Sequence, residues 1–317
     1  MVGKLPSPIE SADQLYSFIK HEILPPLGWS EFNNSFVSYC DQRVKSGFAR
    51  VDGFPLLVGS AIQGDSQAII PAASAWVLYL MATRLFDDIQ DGQIAPMWQS
   101  VKETDAMHMG LFALGAAQSA LSFQQGNSAM LREVNAILGR TCAMASKAQW
   151  VERMPKPPML AMLDDYFKTI AAKTGLIVAS GAWLGGRVGC SDPTPTLLNA
   201  LYQYGLNMGM MAQILDDCHD LKNSDLPAKI YTLPVIYGLS CEGDKRQLYL
   251  RDLLRDEPQT PETIDRIVKL LGEMGAIGWS LAVAKSYQQR ALDSLDIISP
   301  ESRGILEQYA LQSATIF

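Results

Sequence analysis

The sequence is short of charge, and shortest of positive charge. Of its 317 residues 19% are charged, 26 Lys and Arg against 33 Asp and Glu, for a net charge of −7. A polyanion needs a basic surface, so this balance argues against nucleic acid as the main partner while leaving room for a local basic pocket. Cysteine is sparse: Cys40, Cys142, Cys190, Cys218 and Cys241 are odd in number and form no Cys-x-x-Cys pair. Neither a disulfide framework nor a structural zinc site is indicated. No apolar run reaches the roughly 18 residues that suggest a membrane span. The N-terminus, MVGKLPSPIESADQ, lacks the apolar stretch of a signal peptide. A reduced, cytoplasmic protein is the expectation. Strand-like alternation, Asn-Gly hairpin turns, low-complexity tracts and long linkers are scarce or absent as well.

What remains is helical. Hydrophobic residues make up 48% of the chain, a globular composition. Helix-length apolar segments recur at residues 69–91, 105–123, 129–154, 159–188, 196–220 and 261–298. Breakers such as GQIAPM, QQGNS, MPKPPM, GCSDPTP and NSDLP separate them. These features predict one all-α domain over residues 1–317, a helical bundle. The segment KTGLIVASGAWLGG, residues 173–186, is nearly free of charge and belongs in the middle of such a bundle. Its glycines and alanines serve either close helix packing or space for a ligand.

Two stretches carry the chemistry. RLFDDIQD (84–91) and QILDDCHD (213–220) each end an apolar helical run in Asp-Asp-x-x-Asp, offset by 216 − 87 = 129 residues. Residues three and four apart share a helix face, so Asp87, Asp88 and Asp91 crowd together, as do Asp216, Asp217 and Asp220. Both triples come late in their runs, which fits an N-cap poorly, and a solvated acidic surface explains one triple better than two. Paired carboxylate clusters suit hard divalent cations. Magnesium takes oxygen ligands, keeps several waters and bridges carboxylates to phosphates. Zinc would want His219 or Cys218, which read as spacers. The implied chemistry is a diphosphate whose charge is stabilised as it leaves an organic partner able to bear positive charge. A long hydrocarbon would occupy the apolar bundle. Tyr79, Phe86, Tyr166, Phe167, Trp183 and Tyr204 are candidate rings to face a cation, and each serves equally as plain core. Arg84 lies on the face of the first triple, positioned either to contact the diphosphate or to form an intrahelical salt bridge with Asp88.

With these motifs the chain resembles the polyprenyl synthetase family, the trans-type isoprenyl diphosphate synthases. Further matches follow in order: Gln149 with Glu152, the pair Lys173-Thr174, Gln213 three residues before the second triple, and YTLPVIYGL at 231–239. The resemblance runs from about Phe54 to Leu239. It implies the all-α isoprenoid synthase fold with a central apolar cavity between helices, and two or three magnesium ions held by Asp87, Asp88, Asp91, Asp216, Asp217 and Asp220. It implies that Lys173, with Thr174, Gln213 and Gln149 near it, contacts an allylic prenyl diphosphate, and that Lys229 joins them from one position off the family's register. It also implies that Ala82 and Thr83, just upstream of the first triple, set pocket depth, and it allows a homodimer.

Departures are specific. Chain-elongating members carry Gly-Lys-Arg-x-Arg-Pro before the first helix, where this chain has FARVDGFP at 48–55. They also carry an arginine pair after the first triple, where residues 92–98, GQIAPMW, have no basic residue. Those cations would hold isopentenyl diphosphate, with Arg50 or Arg84 as substitutes. The reading drawn from this is a magnesium-dependent class I enzyme of terpenoid biosynthesis. It ionises one prenyl diphosphate, then cyclises or rearranges it, or passes the prenyl group to an unconventional acceptor. The alternative is a chain-elongating farnesyl- or geranylgeranyl-type synthase with a rebuilt second site. A non-catalytic partner subunit comes third, since intact aspartates count against it.

Overall fold

The central helices start where a side chain can satisfy their first free amides. In the computed structural model, Asp65 accepts from the backbone N–H of Gln67 at 2.9 Å and Ala68 at 3.3 Å, opening a helix that runs to Asp91. Gly92, at φ 65°, ends it. Thr194 caps a second long helix, with Pro195 at its first position, and Asn127 caps a third. The structure describes residues 7–92, 101–154, 162–256 and 260–313, with backbone only for Asp91, Glu103 and Asp256.

Among the described residues there are helices and no strands. In chain order they are α1 (Pro8–Phe18), α2 (Ser30–Lys45), α3 (Ala49–Asp52), α4 (Phe54–Ala61), α5 (Ser66–Asp91), α6 (Glu103–Ser122), α7 (Ser128–Glu152) and α8 (Leu163–Ile170). Then come α9 (Leu176–Gly189), α10 (Pro195–Asp220), α11 (Leu226–Ala228), α12 (Leu233–Ser240), α13 (Lys245–Asp256), α14 (Pro261–Glu273), α15 (Ala276–Asp293) and α16 (Pro300–Ser313). A widened, π-type turn at Ala171–Gly175 joins α8 to α9, and another at Leu221–Asp225 follows α10. The segment read as continuous over 261–298 is two helices, because Gly275 adopts φ 73° and the axes bend by 64°. Helices α1, α2, α4, α13 and α16 escape a search for long apolar runs; α2, for instance, buries Phe32, Phe36, Tyr39 and Arg43 along one face of a polar sequence.

Helix α5 packs against α4, α6 and α9, and α10 lies between α9 and α15. By length and composition α5 is the one described helix that could cross a bilayer, although no run of 18 apolar residues marks it in sequence. Most of it is buried inside the bundle. The small residues of 173–186 serve close packing. A Cβ on Gly181 would lie 3.1 Å from the Trp76 ring, and one on Gly185 only 2.4 Å from the Pro55 carbonyl. From the facing helix, a Cβ on Gly209 would meet the Gly175 Cα at 2.8 Å and the Thr174 carbonyl at 2.9 Å. This contact sets α10 against the turn that carries Lys173.

A buried ion pair ties the N-terminal helices together. Arg43 donates through Nε and Nη2 to the two oxygens of Asp52 at 2.8 and 2.7 Å, and Tyr16 Oη donates to Asp52 at 2.5 Å. Breaking such a pair from one side is costlier than never having had it, because it strands a buried charge.

Gly209→Ala should destabilise the protein by roughly 1–3 kcal/mol through overpacking, since both atoms in the way are backbone. Thermal unfolding measures it; a variant with an unchanged melting temperature would contradict the close α10–turn contact.

Candidate active site

The late placement of each triple on its helix brings the two together. Asp87 near the end of α5 and Asp216 near the end of α10 both line a cavity of about 600 Å³. Polar residues gather around them: Gln149 from α7, Lys173 and Thr174 from the widened turn, and Gln213 one turn before Asp216. Leu80, Phe86, Ile177, Val178, Met208 and Met211 form apolar wall.

Hydrogen bonds fix this end of the cavity. Gln149 Nε2 donates to Asp87 Oδ1, while the Gln149 Oε1 is buried without a partner. Lys173 Nζ donates to Glu152 at 2.6 Å. Burial opposes the lysine's charge, but Glu152 and then Asp87 outweigh it and hold the ammonium firmly protonated. Thr174 Oγ1 donates to Gln213 Oε1, whose Nε2 donates to Asp217 Oδ1 at 2.8 Å. Tyr166 Oη donates to the other Asp217 oxygen at 2.5 Å.

The six aspartates are therefore not equivalent. Asp217 is buried and outside the cavity lining, and each of its oxygens accepts a hydrogen bond. Asp88 and Asp220 are half-buried and outside the cavity lining, and the side chain of Asp91 lies outside the described residues. Burial, then Asp220, pushes Asp216 up to about 6. Burial pushes Asp217 up to about 7, against its hydrogen bonds from Tyr166 and Gln213. Asp225, which sequence reasoning did not single out, is pushed up to about 8 by burial and by Asp217, and one of its oxygens is buried without a partner.

This donor set fits a hard cation. It is all oxygen, it carries more buried negative charge than Lys173 offsets, and Asp87 and Asp216 feel each other's charge. Among the described residues no three carboxylates already converge into a metal cluster. Magnesium accepts few protein ligands when phosphate oxygens and waters complete its shell.

Other expectations divide. Thr83 lines the cavity, but Ala82 is fully buried in the core and does not. The lining face of α5 runs Leu80, Thr83, Arg84, Asp87, and Ala82 is rotated off it. Lys229 is exposed, on left-handed backbone at φ 57° after α11, and stays outside the site. Of the candidate rings only Phe86 lines the cavity; Tyr79 borders a small adjoining void, and Tyr204 is core, donating to the Leu306 carbonyl. Arg84 lines the cavity and makes no ion pair with any described carboxylate. Arg50 contacts Gln312 instead. Residues 93–98, the stretch without basic residues, lie outside the described residues. Arg43, Phe48, Tyr309 and Ser313 also line the cavity, and sequence reasoning missed them. Met208, Met211 and Ala212 were findable, at eight, five and four residues before Asp216.

Comparison with known proteins gives a consistent frame. A family model described as Polyprenyl synthetase matches residues 54–271. Heptaprenyl diphosphate synthase component 2 of Bacillus subtilis (strain 168) is 27% identical over 265 residues, covering 77% of this chain and 72% of its own. A geranylgeranyl pyrophosphate synthetase from Pyrococcus horikoshii Ot3 superposes with TM-score 0.80 at 20% identity, over 96% of this chain and 98% of that one. A polyprenyl synthase from Caulobacter crescentus CB15, solved with calcium and isoprenyl diphosphate, gives TM-score 0.80 at 19% identity over 99% and 98%. At these identities the two structures establish a shared fold, the all-α isoprenoid synthase bundle.

The raised aspartates set a pH dependence. Asp216 and Asp217 ordinarily titrate at 3.8, so between about pH 4 and pH 7 the folded, metal-free protein holds protons that the unfolded chain has released. Stability without metal should therefore fall as pH rises through that window. Magnesium should raise the melting temperature more near pH 8 than near pH 5, and should release protons on binding near pH 6. Calorimetry in buffers of different ionisation enthalpy reads the protons; no release there would overturn the assignment.

Proposed function

The chain belongs to the polyprenyl synthetase family, and from that premise we propose that it is a magnesium-dependent prenyltransferase that extends an allylic prenyl diphosphate with isopentenyl diphosphate. The single observation behind this is one cavity that joins Asp87, Asp216 and Lys173 at its polar end to a long apolar wall. The Bacillus subtilis relative is named for diphosphate synthesis, which supports elongation over cyclisation.

Asp87 and Asp216, with Asp88, Asp91 and Asp220 of the same two motifs, would hold the magnesium, which would supply positive charge against a departing diphosphate. Lys173, held charged by Glu152, donates to the diphosphate oxygens. Gln149 orients Asp87, and the Thr174–Gln213–Asp217–Tyr166 chain fixes the end of α10. The allylic C–O bond breaks with its electron pair leaving on oxygen. The π electrons of the acceptor's double bond form the new C–C bond, and a proton is then lost. Phe86, Met208 and Met211, apolar wall of the cavity, exclude water from the allylic cation.

A second reading, ionisation followed by cyclisation or transfer to another acceptor, is favoured by one feature. Val51 and Leu80 are apolar cavity wall, and the charge of Arg43 is spent on Asp52. Labelled isopentenyl diphosphate decides between them. We expect its incorporation with magnesium and an allylic diphosphate, reduced on the order of a hundredfold or more by Asp216→Ala, as when one transition-state electrostatic group is lost. Release of diphosphate and a hydrocarbon or alcohol, without label, would establish the second reading.

Pocket depth should follow Thr83 rather than Ala82. Thr83→Phe should shorten the product, whereas Ala82→Phe should cost roughly 1–3 kcal/mol of stability with the product unchanged. Product analysis by mass spectrometry with parallel thermal melts tests both, and a shortened product from Ala82→Phe alone would reverse the assignment.

A further inference from the structure

We infer that Asp225, which belongs to neither aspartate triple, is a further acidic group of the cation site, helping to hold a cation at the second triple from the turn behind it. The inference rests on the magnesium reading above and is independent of which acceptor is used.

The turn that carries Asp225 begins directly after Asp220. Leu221–Asp225 is wound wider than an α-helix, and Leu221 and Leu226 at its two ends are buried in a satellite core with residues of α13 and α14. Backbone bonds fix the far side. The Lys229 N–H donates to the Leu226 carbonyl at 3.1 Å, and the Ile230 N–H donates to the Asp225 carbonyl at 2.9 Å. With Lys229 left-handed at φ 57°, this is a helix closure that ordinarily uses glycine. Asp225 is therefore held in place by its backbone and its apolar neighbours, not by its side chain.

That side chain is poorly served. Asp225 Oδ2 is buried and has no hydrogen-bond partner. The charges that act most on the carboxyl are those of Asp217, Asp220 and Glu152, all negative. Lys222 is turned to Asp265 at 2.6 Å, and Lys229 is exposed. The Thr232 hydroxyl faces Asp225 closely enough to favour its ionisation, but without the geometry of a hydrogen bond. That oxygen too is buried and unpartnered, in a residue only 5% exposed. Thr232 is the N-cap of α12, where a threonine oxygen ordinarily accepts from a helix amide, yet its side chain caps nothing. A residue kept only for structure would recover such costs through hydrogen bonds. A hydrated cation at the second triple supplies what is missing, positive charge against three like charges and water O–H groups for unused oxygens. Asp225 lines no part of the cavity and joins no cluster of three carboxylates among the described residues, so it is a positioning group, acting through water and charge.

Magnesium titrated calorimetrically into the full chain, with and without inorganic diphosphate, reads the site without turnover. Asp225→Asn keeps the shape and removes the charge. It should weaken magnesium about tenfold or more, the usual cost of losing a group that orders a metal's surroundings. In EDTA its melting temperature should equal or exceed that of wild type, because a carboxyl pressed by three like charges is gone. The rise in melting temperature that magnesium gives wild type should shrink. Thr232→Val should weaken magnesium in the same direction by less. Asp265→Asn, which removes an exposed acid on α14, should bind magnesium as wild type does. A purely structural Asp225 gives the reverse, a lower melting temperature in EDTA with unchanged magnesium affinity, and that result would overturn the inference. An equal loss of affinity in Asp265→Asn would overturn it as well. Should Asp225→Asn fold poorly, Thr232→Val decides, and full affinity there sinks the assignment. If wild type binds no magnesium in either condition, the magnesium reading fails, and this inference with it.

Discussion

Carboxylates from two distant helices are held facing one cavity with too little positive charge to balance them. Asp216 meets an apolar wall and is costly to ionise, with Asp220 and, across the cavity, Asp87 adding to the cost. Much of the surrounding structure can be understood as answering that cost. Gln149 fastens Asp87, and Tyr166 and Gln213 occupy both oxygens of Asp217. Lys173 contributes one positive charge and shares it with Glu152. The remaining deficit is what makes the site receptive to cations, and a ligand that brings both cations and phosphate oxygens relieves it most completely.

Holding repelling groups in place requires rigid supports. Glycines let α10 approach the backbone of the Lys173 turn so closely that a single methyl would not fit. Both widened turns, at Ala171–Gly175 and Leu221–Asp225, fall at the site. Such turns break the regular hydrogen-bond ladder and re-aim side chains, which accounts for their enrichment at functional positions. Here the first carries Lys173 and Thr174 to the cavity, and the second turns the chain directly after Asp220. The apolar interior of the bundle supplies the stability against which this local strain and repulsion are set.

The cavity lining carries both signs of charge, Asp87 and Asp216 with Lys173, Arg84 and Arg43, and Arg43 is paired with the buried Asp52. The same pair that ties α2 to α3, and through Tyr16 to α1, thereby forms part of the cavity wall.

The local pattern by itself determined the two aspartate motifs, their helices and the side chains one or two turns away, because spacing on an α-helix converts directly into a shared face. It also determined the all-α class, since apolar runs of helical length leave little else to build. Register within a turn was harder: Ala82 and Thr83 are neighbours in sequence, yet only packing against α7 and α9 selects which one meets the cavity. The exposed Lys229 follows from a left-handed turn that no nearby residue type announced. Only the tertiary structure decided the rest. Arg43 and Phe48 come from the N-terminal helices, and Tyr309 and Ser313 from the last one, more than 200 residues from Asp87. Contacts across such separations arise from how helices pack around a common core, and no periodicity in one strand of sequence encodes which distant face will close a cavity.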